Sequence, residues 1–367
     1  MKTKILYTVL LVLAIFTFSC TNEPIFYNIA QEVPLLDSVV KGNVYSIVEQ
    51  GEYLYAANGK IFRKGKTQEV TNNSNPWKLV DKPDGKIIRL AATDSYLYAL
   101  SVADPINGSE KYTIYVSPAS DKLSWEVVSV TGNVTAIFDN EAAPGTGKLQ
   151  AYYSTKDGIF AINGKTAGTT NLKTETNFIS TKKETNSEEE ASFAVKAATV
   201  GDITVFSDDL SLCSDREKYF YKVDEKFIKY STDGNKWEKV SLDISDSASA
   251  CYYESEGNSW IYVGTAPYDG PGLQAINLNN GIPTAISEPV GKNIASCLDD
   301  TQVIGLYPFP YGSGNLYAAS VMILSSTALS NDNQLWVNGG FAVDGYCKKK
   351  ESEKRGQLAA FLTEIGG

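Results

Sequence analysis

Ser46-Ile-Val-Glu-Gln-Gly-Glu-Tyr-Leu-Tyr-Ala-Ala-Asn-Gly59 decides the fold. Its apolar residues alternate with polar ones, break at a polar turn, and resume as a second run carrying a Leu-aromatic-small signature. Period-two alternation interrupted by Gly, Asn and Asp is the pattern of paired strands. The unit returns as Thr327-Ala-Leu-Ser-Asn-Asp-Asn-Gln-Leu-Trp-Val-Asn-Gly339, and in shorter form at Arg89–Leu100, Thr135–Tyr153, Lys196–Phe206, Ser249–Gly264 and Ala295–Tyr307. First strands are therefore expected near Val44, Ile88, Val134, Val195, Ala248, Ile294 and Ser325. Small residues (Ser46, Ala136, Ala197, Ala250 and Ser296) fill one column of these strands, with Leu90 as the exception.

Third strands follow at Lys60, Thr113, Gly158, Lys226 and Gly272, and fourth strands open on Trp77, Trp125 and Trp237. A four-stranded unit of about 50 residues that recurs along the chain is the arithmetic of a β-propeller. The fold class expected is all-β, a single propeller of seven four-stranded blades, with six as the alternative because the last spacing is short. Small residues suit strands that converge on a crowded axis. A ring must also cover its edges, so a strand near Val33–Val40 is expected to pair with C-terminal strands that include Leu358–Ile365. The charged run Lys348–Arg355 then becomes a solvated turn, and the Thr/Asn/Lys/Glu-rich stretch Thr166–Ala191 a surface loop.

The chain divides into residues 1–19 as a signal segment, 20–34 as a tether and 35–367 as the propeller body. Lys2 and Lys4 precede the apolar run Ile5–Phe18, which is shorter than the ~20 residues of a membrane span. The run ends at Ser19-Cys20, which resembles the lipobox of bacterial lipoproteins, in which a signal is cut before a cysteine that is then acylated. With Thr17 and Phe18 before it, the box is similar to the relaxed boxes of spirochaete lipoproteins. The resemblance implies lipid (palmitate among the chains) on Cys20 and a body held at a membrane of the cell envelope. Thr21 at the next position points to the outer membrane, on its periplasmic face or at the cell surface.

Ser231-Thr-Asp-Gly-Asn-Lys-Trp237 resembles the Asp-box, or BNR repeat, of sialidase-like propellers, with Ser231, Asp233, Gly234 and Trp237 matching and one spacer missing. Partial echoes lie at Ser154–Gly158 and Ser117–Trp125. The resemblance implies a turn whose Ser and Asp side chains bond the backbone while the Trp packs between blades. That role is structural and carries no activity.

The chemistry is constrained by what the chain lacks. It has no histidine among 367 residues, which excludes Ser-His-Asp and Cys-His nucleophiles and histidine-ligated metals. Its net charge of −10 argues against nucleic acid as a partner. Four arginines (Arg63, Arg89, Arg216 and Arg355) leave little room for the arginine triad of a sialidase. No cofactor or metal motif is present. Carboxylate pairs such as Asp208/Asp209, Asp139/Glu141 and Asp299/Asp300 are what a hydrolase would use, although among 43 acidic residues such pairs are unavoidable. With Cys20 assigned to lipid, Cys213, Cys251, Cys297 and Cys347 remain as candidates for disulfides of undetermined pairing. For Cys251 and Cys297, small buried side chains are an equal alternative. Most of the 22 tyrosines alternate into strands, but Tyr268, Tyr307, Phe309 and Tyr311 sit in Gly/Pro-rich stretches and are the candidate ligand-binding residues. The expected function is a lipid-anchored, non-catalytic binding or scaffolding module for a protein or glycan. A carbohydrate-active hydrolase and an envelope-assembly scaffold are the alternatives.

Overall fold

The structure is a computed structural model, and it describes residues 40–41, 44, 46–66, 77–103, 111–174, 178–179, 196–245, 247–255, 257–265, 271–287, 301–309, 315–322, 341–343 and 357–362. It is all-β, with no α-helix among the described residues, and its strands form seven sheets.

Sheet 1 comprises Ser46–Gln50, Tyr53–Ala57, Ile61–Gly65 and Lys78–Val80. Sheet 2 comprises Lys86–Ala92, Tyr96–Val102, Tyr112–Pro118 and Glu126–Val127. Sheet 3 comprises Val134–Asp139, Ala151–Thr155, Gly158–Asn163 and Thr166–Ala167. Sheet 4 has three strands: Lys196–Val200, its hairpin partner Ile203–Ser207, and Phe178–Ile179 alongside in parallel. Sheet 5 comprises Leu212–Ser214, Phe220–Asp224, Phe227–Ser231 and Glu238–Ser241. Sheet 6 comprises Ser247–Ser255, Asn258–Thr265, Leu273–Asn279 and Ile282–Ser287. In sheets 1, 2, 3, 5 and 6 the strands pair antiparallel in chain order. Sheet 7 runs in the order Thr301–Phe309, Asn315–Met322, Gln357–Leu362, Phe341–Val343, Val40–Lys41. The N-terminal strand thus joins the C-terminal ones, Val40 opposite Ala342.

Tight turns set the register. Gly51 and Gly201 open two-residue loops at φ 60° and 58°, and Asn280-Gly281 lies at φ 50° and 80°. Both central residues of a type I′ hairpin need positive φ, which Asn-Gly supplies at least cost.

Two expectations are corrected. The unit placed near Val195 is two sheets, 4 and 5, because Leu212–Ser214 begins a new sheet. The stretch read as a surface loop, Thr166–Ala191, supplies edge strands to sheets 3 and 4 and the 3₁₀ turn Leu172–Thr174. The first strands expected near Ile294 and Ser325, and the charged run Lys348–Arg355, lie outside the described residues.

The core lies between sheets. Tyr55 and Ile61 of sheet 1 pack with Leu90 and Leu97 of sheet 2. Tyr98 and Ile114 of sheet 2 pack with Ile137 and Tyr153 of sheet 3. Phe138 and Tyr152 meet Phe206 of sheet 4, Val205 meets Phe220 of sheet 5, and Tyr221 and Ile228 meet Ala250 and Ile261 of sheet 6. The first strand of sheet 7 lies against that of sheet 6 and touches that of sheet 1. Sheets 2 to 5 therefore bury apolar residues on both faces against their neighbours, which accounts for strands as apolar as Tyr96–Val102.

A repeated clasp locks successive sheets. A Tyr-x-Tyr pair at or beside the second strand of one sheet receives the turn between the third and fourth strands of the next. Tyr53 of sheet 1 donates to Asp121 Oδ1 (2.9 Å) in the turn of sheet 2. The ring of Tyr96 in sheet 2 lies against Gly164 in the turn of sheet 3. Tyr221 of sheet 5 donates to the carbonyl of Gly281 (2.8 Å) in the turn of sheet 6. Sheet 4 has no such pair, and there Trp237 in the turn of sheet 5 packs against the buried cluster that includes Ala198 and Val205 instead. That turn is held from within. Ser231 Oγ accepts from the N–H of Gly234 (3.0 Å), Asp233 Oδ1 accepts from Asn235 and Lys236 (both 2.8 Å), and Trp237 Nε1 donates to the Gly234 carbonyl (3.0 Å).

Candidate functional site

The first strands of the seven sheets face one cavity of about 650 Å³. Ser46 comes from sheet 1, Arg89 from sheet 2, Asp139 from sheet 3, Lys196 from sheet 4, Ser214 from sheet 5, Cys251 from sheet 6 and Tyr307 from sheet 7. The small column predicted for these strands lets them approach, and hydrogen bonds tie neighbouring strands together. Leu90 N–H donates to Ser46 Oγ (2.7 Å), Ala92 N–H to Asp139 Oδ2 (3.2 Å), and Ser214 Oγ to the Thr199 carbonyl (3.0 Å).

Against that small, apolar background the charged groups stand out. Asp139 also accepts from the N–H of Glu141 through Oδ1 (3.2 Å). Burial, reinforced by Glu141, pushes its pKa up to about 6, while the two backbone N–H groups and Arg216 act in the opposite direction. Lys196 is buried. It donates to the Ala250 carbonyl (2.8 Å) of sheet 6 and pairs with Glu141 Oε1 at 3.0 Å. Burial opposes its charge, but Glu141 and the nearby thiols of Cys213 and Cys251 leave its pKa above the ordinary lysine value. Burial lowers the pKa of Arg89, against the opposing fields of Tyr307 and Asp139. A guanidinium stays protonated regardless.

At the rim, Asp215 Oδ1 accepts three backbone N–H groups, from Glu217, Lys218 and Tyr219, at 2.7–2.9 Å. This pins the turn that carries Arg216, whose φ is +67° and whose side chain is exposed beside the cavity. Tyr252, Tyr253 and Phe138 supply aromatic walls, with the Tyr252 hydroxyl donating to Glu254 Oε2 (2.9 Å). A mixed-charge, aromatic-walled cavity of this size is suited to holding a small polar ligand.

Of the residues proposed from sequence as ligand-binding, Tyr307 reaches this cavity, half-buried, with its pKa raised by burial. It and Phe309 lie in the strand Thr301–Phe309 and not in a loop. That strand is at an end of its sheet, where Pro308 is tolerated because its missing N–H breaks no interior ladder. Tyr268 and Tyr311 fall outside the described residues, as do Cys20, Cys297 and Cys347. Cys213 and Cys251 are free, buried thiols, and burial pushes the Cys213 pKa up to about 12. Arg89, Lys196 and Arg216 were not singled out as site residues. For Arg89 and Lys196 the available signal was a lone charge inside an apolar run, as in Ile87-Ile-Arg-Leu-Ala-Ala92 and Ala194-Val-Lys-Ala-Ala198; Arg216, in the charged turn Ser214-Asp-Arg-Glu-Lys218, carried no such signal.

Residues 2–259 match the model of the TP013X lipoprotein family. An uncharacterised lipoprotein of Treponema pallidum (strain Nichols) is 24% identical over 267 residues, which span 67% of this chain and 62% of the relative's length. Among solved structures, BBS1N in complex with ARL6DN shares 12% identity at a TM-score of 0.42, over 73% of this chain and 83% of that one. A glucose dehydrogenase shares 9% identity at a TM-score of 0.39, over 77% and 95%. At those scores the structural likeness carries no argument. No helix among the described residues is long and apolar enough to cross a membrane.

Proposed function

The chain belongs to the TP013X lipoprotein family, and from that premise we propose that it is a lipid-anchored envelope protein whose body is a seven-bladed β-propeller binding a small polar ligand in its central cavity, without turning it over. One observation carries this reading: seven sheets, packed in succession, each contribute a first strand to a single cavity. A radial arrangement of blades would bring seven such strands to one place, which supports the propeller reading. The seventh sheet, built from both ends of the described chain, is the closure that a ring requires. The self-bonded Ser231–Trp237 turn supports the Asp-box resemblance in the same frame.

Cys20 is the anchor in this reading, and the cell envelope, at the outer membrane, is the address. A Cys20→Ala chain should take up no radiolabelled palmitate and should leave the detergent phase. Retention of both label and partitioning would place the anchor elsewhere. Ligand binding is tested on the full chain in detergent by saturation-transfer NMR against monosaccharides, sugar acids and amino acids. An Ala143→Trp chain, with an indole filling the cavity from its half-buried wall, should lose every signal that the parent gives.

A second reading is favoured by one observation: Asp139, with its raised pKa, shares the cavity with Glu141. A carboxyl whose pKa is raised toward neutrality, close in the chain to a second carboxyl, is the kind of pair a glycoside hydrolase uses. It ranks second because both Asp139 oxygens are engaged by wall N–H groups and Glu141 is held by Lys196. Turnover of a glycoside that is lost in Asp139→Asn while binding persists would reverse the order.

A further inference from the structure

Building on the reading of the cavity as a ligand site, we infer that its ligand is an organic carboxylate on a frame that also carries hydrogen-bond donors, such as a sugar acid or an amino acid, clasped by the Arg216 guanidinium. The inference follows from accounting for each charge around the cavity. Five carboxylates line it, and each already has a partner. Glu49 pairs with Lys66 (3.4 Å), Glu141 pairs with Lys196 (3.0 Å), Asp139 accepts two backbone N–H groups, Asp215 accepts three, and Glu254 accepts from the Tyr252 hydroxyl.

The cations differ. Lys196 is doubly engaged and Arg89 is enclosed in the wall, in the fields of Tyr307 and Asp139. The Arg216 guanidinium makes no hydrogen bond or ion pair among the described residues, although its backbone is fixed at φ +67° by the three-fold Asp215 turn. The turn fixes where the side chain leaves the backbone, and the exposed guanidinium brings five N–H donors in a planar fork to the cavity lining. That is the geometry for bidentate capture of a carboxylate.

Phosphate carries more negative charge than a single carboxylate and, as a dianion, little hydrogen-bond donor capacity, so the five surrounding carboxylates would repel it more strongly with less to offset the repulsion. Those same carboxylates have lone pairs to spare, and hydroxyl or ammonium donors on the ligand would meet them. The half-buried Tyr252 and Tyr307 line the cavity beside the ligand frame.

The test titrates full-length protein in detergent with galacturonate, glutamate, galactose and inorganic phosphate, read by saturation-transfer NMR. Galacturonate or glutamate should bind about tenfold or more tightly than galactose and phosphate, the margin of a charge-assisted bidentate contact. Arg216→Gln should erase that margin while leaving the melting temperature unchanged, and Arg216→Lys should keep part of it. Equal binding of galactose and galacturonate would overturn the carboxylate assignment and leave the cavity reading standing. So would an Arg216→Gln chain that binds like the parent, or tighter binding of phosphate. Absence of binding by both acids would overturn the inference, and binding that survives Ala143→Trp would overturn both it and the cavity reading.

Discussion

Asp139 shows how one residue joins structure to site. Its carboxyl ties sheet 3 to the Ala92 N–H of sheet 2 while facing the cavity. Its folded pKa, about 6, lies above the ordinary aspartate value of 3.8 that the unfolded chain takes. Between those values the folded chain holds a proton that the unfolded chain has released, so stability falls as pH rises through that window, and the penalty is complete above about pH 6. The full effect is on the order of 3 kcal/mol at 1.36 kcal/mol per unit. Asp139→Asn cannot ionise. The stability of the parent relative to this variant should therefore decline by that order between pH 4 and pH 7 in urea titrations, and a flat difference would refute the assignment. In sequence Asp139/Glu141 was one carboxylate pair among several, because what distinguishes it is burial by neighbouring sheets, which spacing does not encode. Arg89 and Lys196 were hidden for the same reason, being single charges whose convergence exists only once the strands meet. Tyr307 was legible as an aromatic beside two prolines, but its strand was not, since the Gly/Pro-rich composition reads as loop.

At the level of elements, the strands were legible wherever alternation ran for five residues or more, and the turns wherever Gly punctuated it. Legibility failed at Leu212–Ser214, where three residues are too few to show a period, and at Thr166–Ala167 and Phe178–Ile179, where two are. Those edge strands exist because a neighbour offers them a ladder, and their own composition gives no sign of it. The clasp explains why Tyr-Leu-Tyr recurs at 53–55 and 96–98 and Tyr-Phe-Tyr at 219–221. A Cβ on Gly281 would clash with the Tyr219 ring, at a φ of +80° that already disfavours a side chain. Gly281→Ala should therefore cost about 2–4 kcal/mol through overpacking and backbone strain. Tyr221→Phe, losing one hydrogen bond, should cost about 1 kcal/mol. Urea midpoints measure both, and equal effects from the two would mean that the turn is not seated against the tyrosines.

In the whole molecule, the seventh sheet is the element on which the others depend. Gln357–Leu362 lies between Asn315–Met322 and Phe341–Val343, and only through the latter does Val40–Lys41 join the sheet. Deleting residues 357–367 should release the N-terminal strand and leave edges open. The variant should melt at a lower temperature and elute as aggregates in size-exclusion chromatography, and a monomer with the parent's melting temperature would refute the role given to this sheet. That same pairing bears on how the protein is made. Sheets 1 to 6 are assembled from near neighbours in sequence and can form as the chain emerges, but Val40 must wait for Ala342. Contacts of such long range are slow to form, and unpaired strands are prone to stick in the meantime. For a chain that emerges N-terminus first, the strand that opens the described fold is therefore among the last to find its partner.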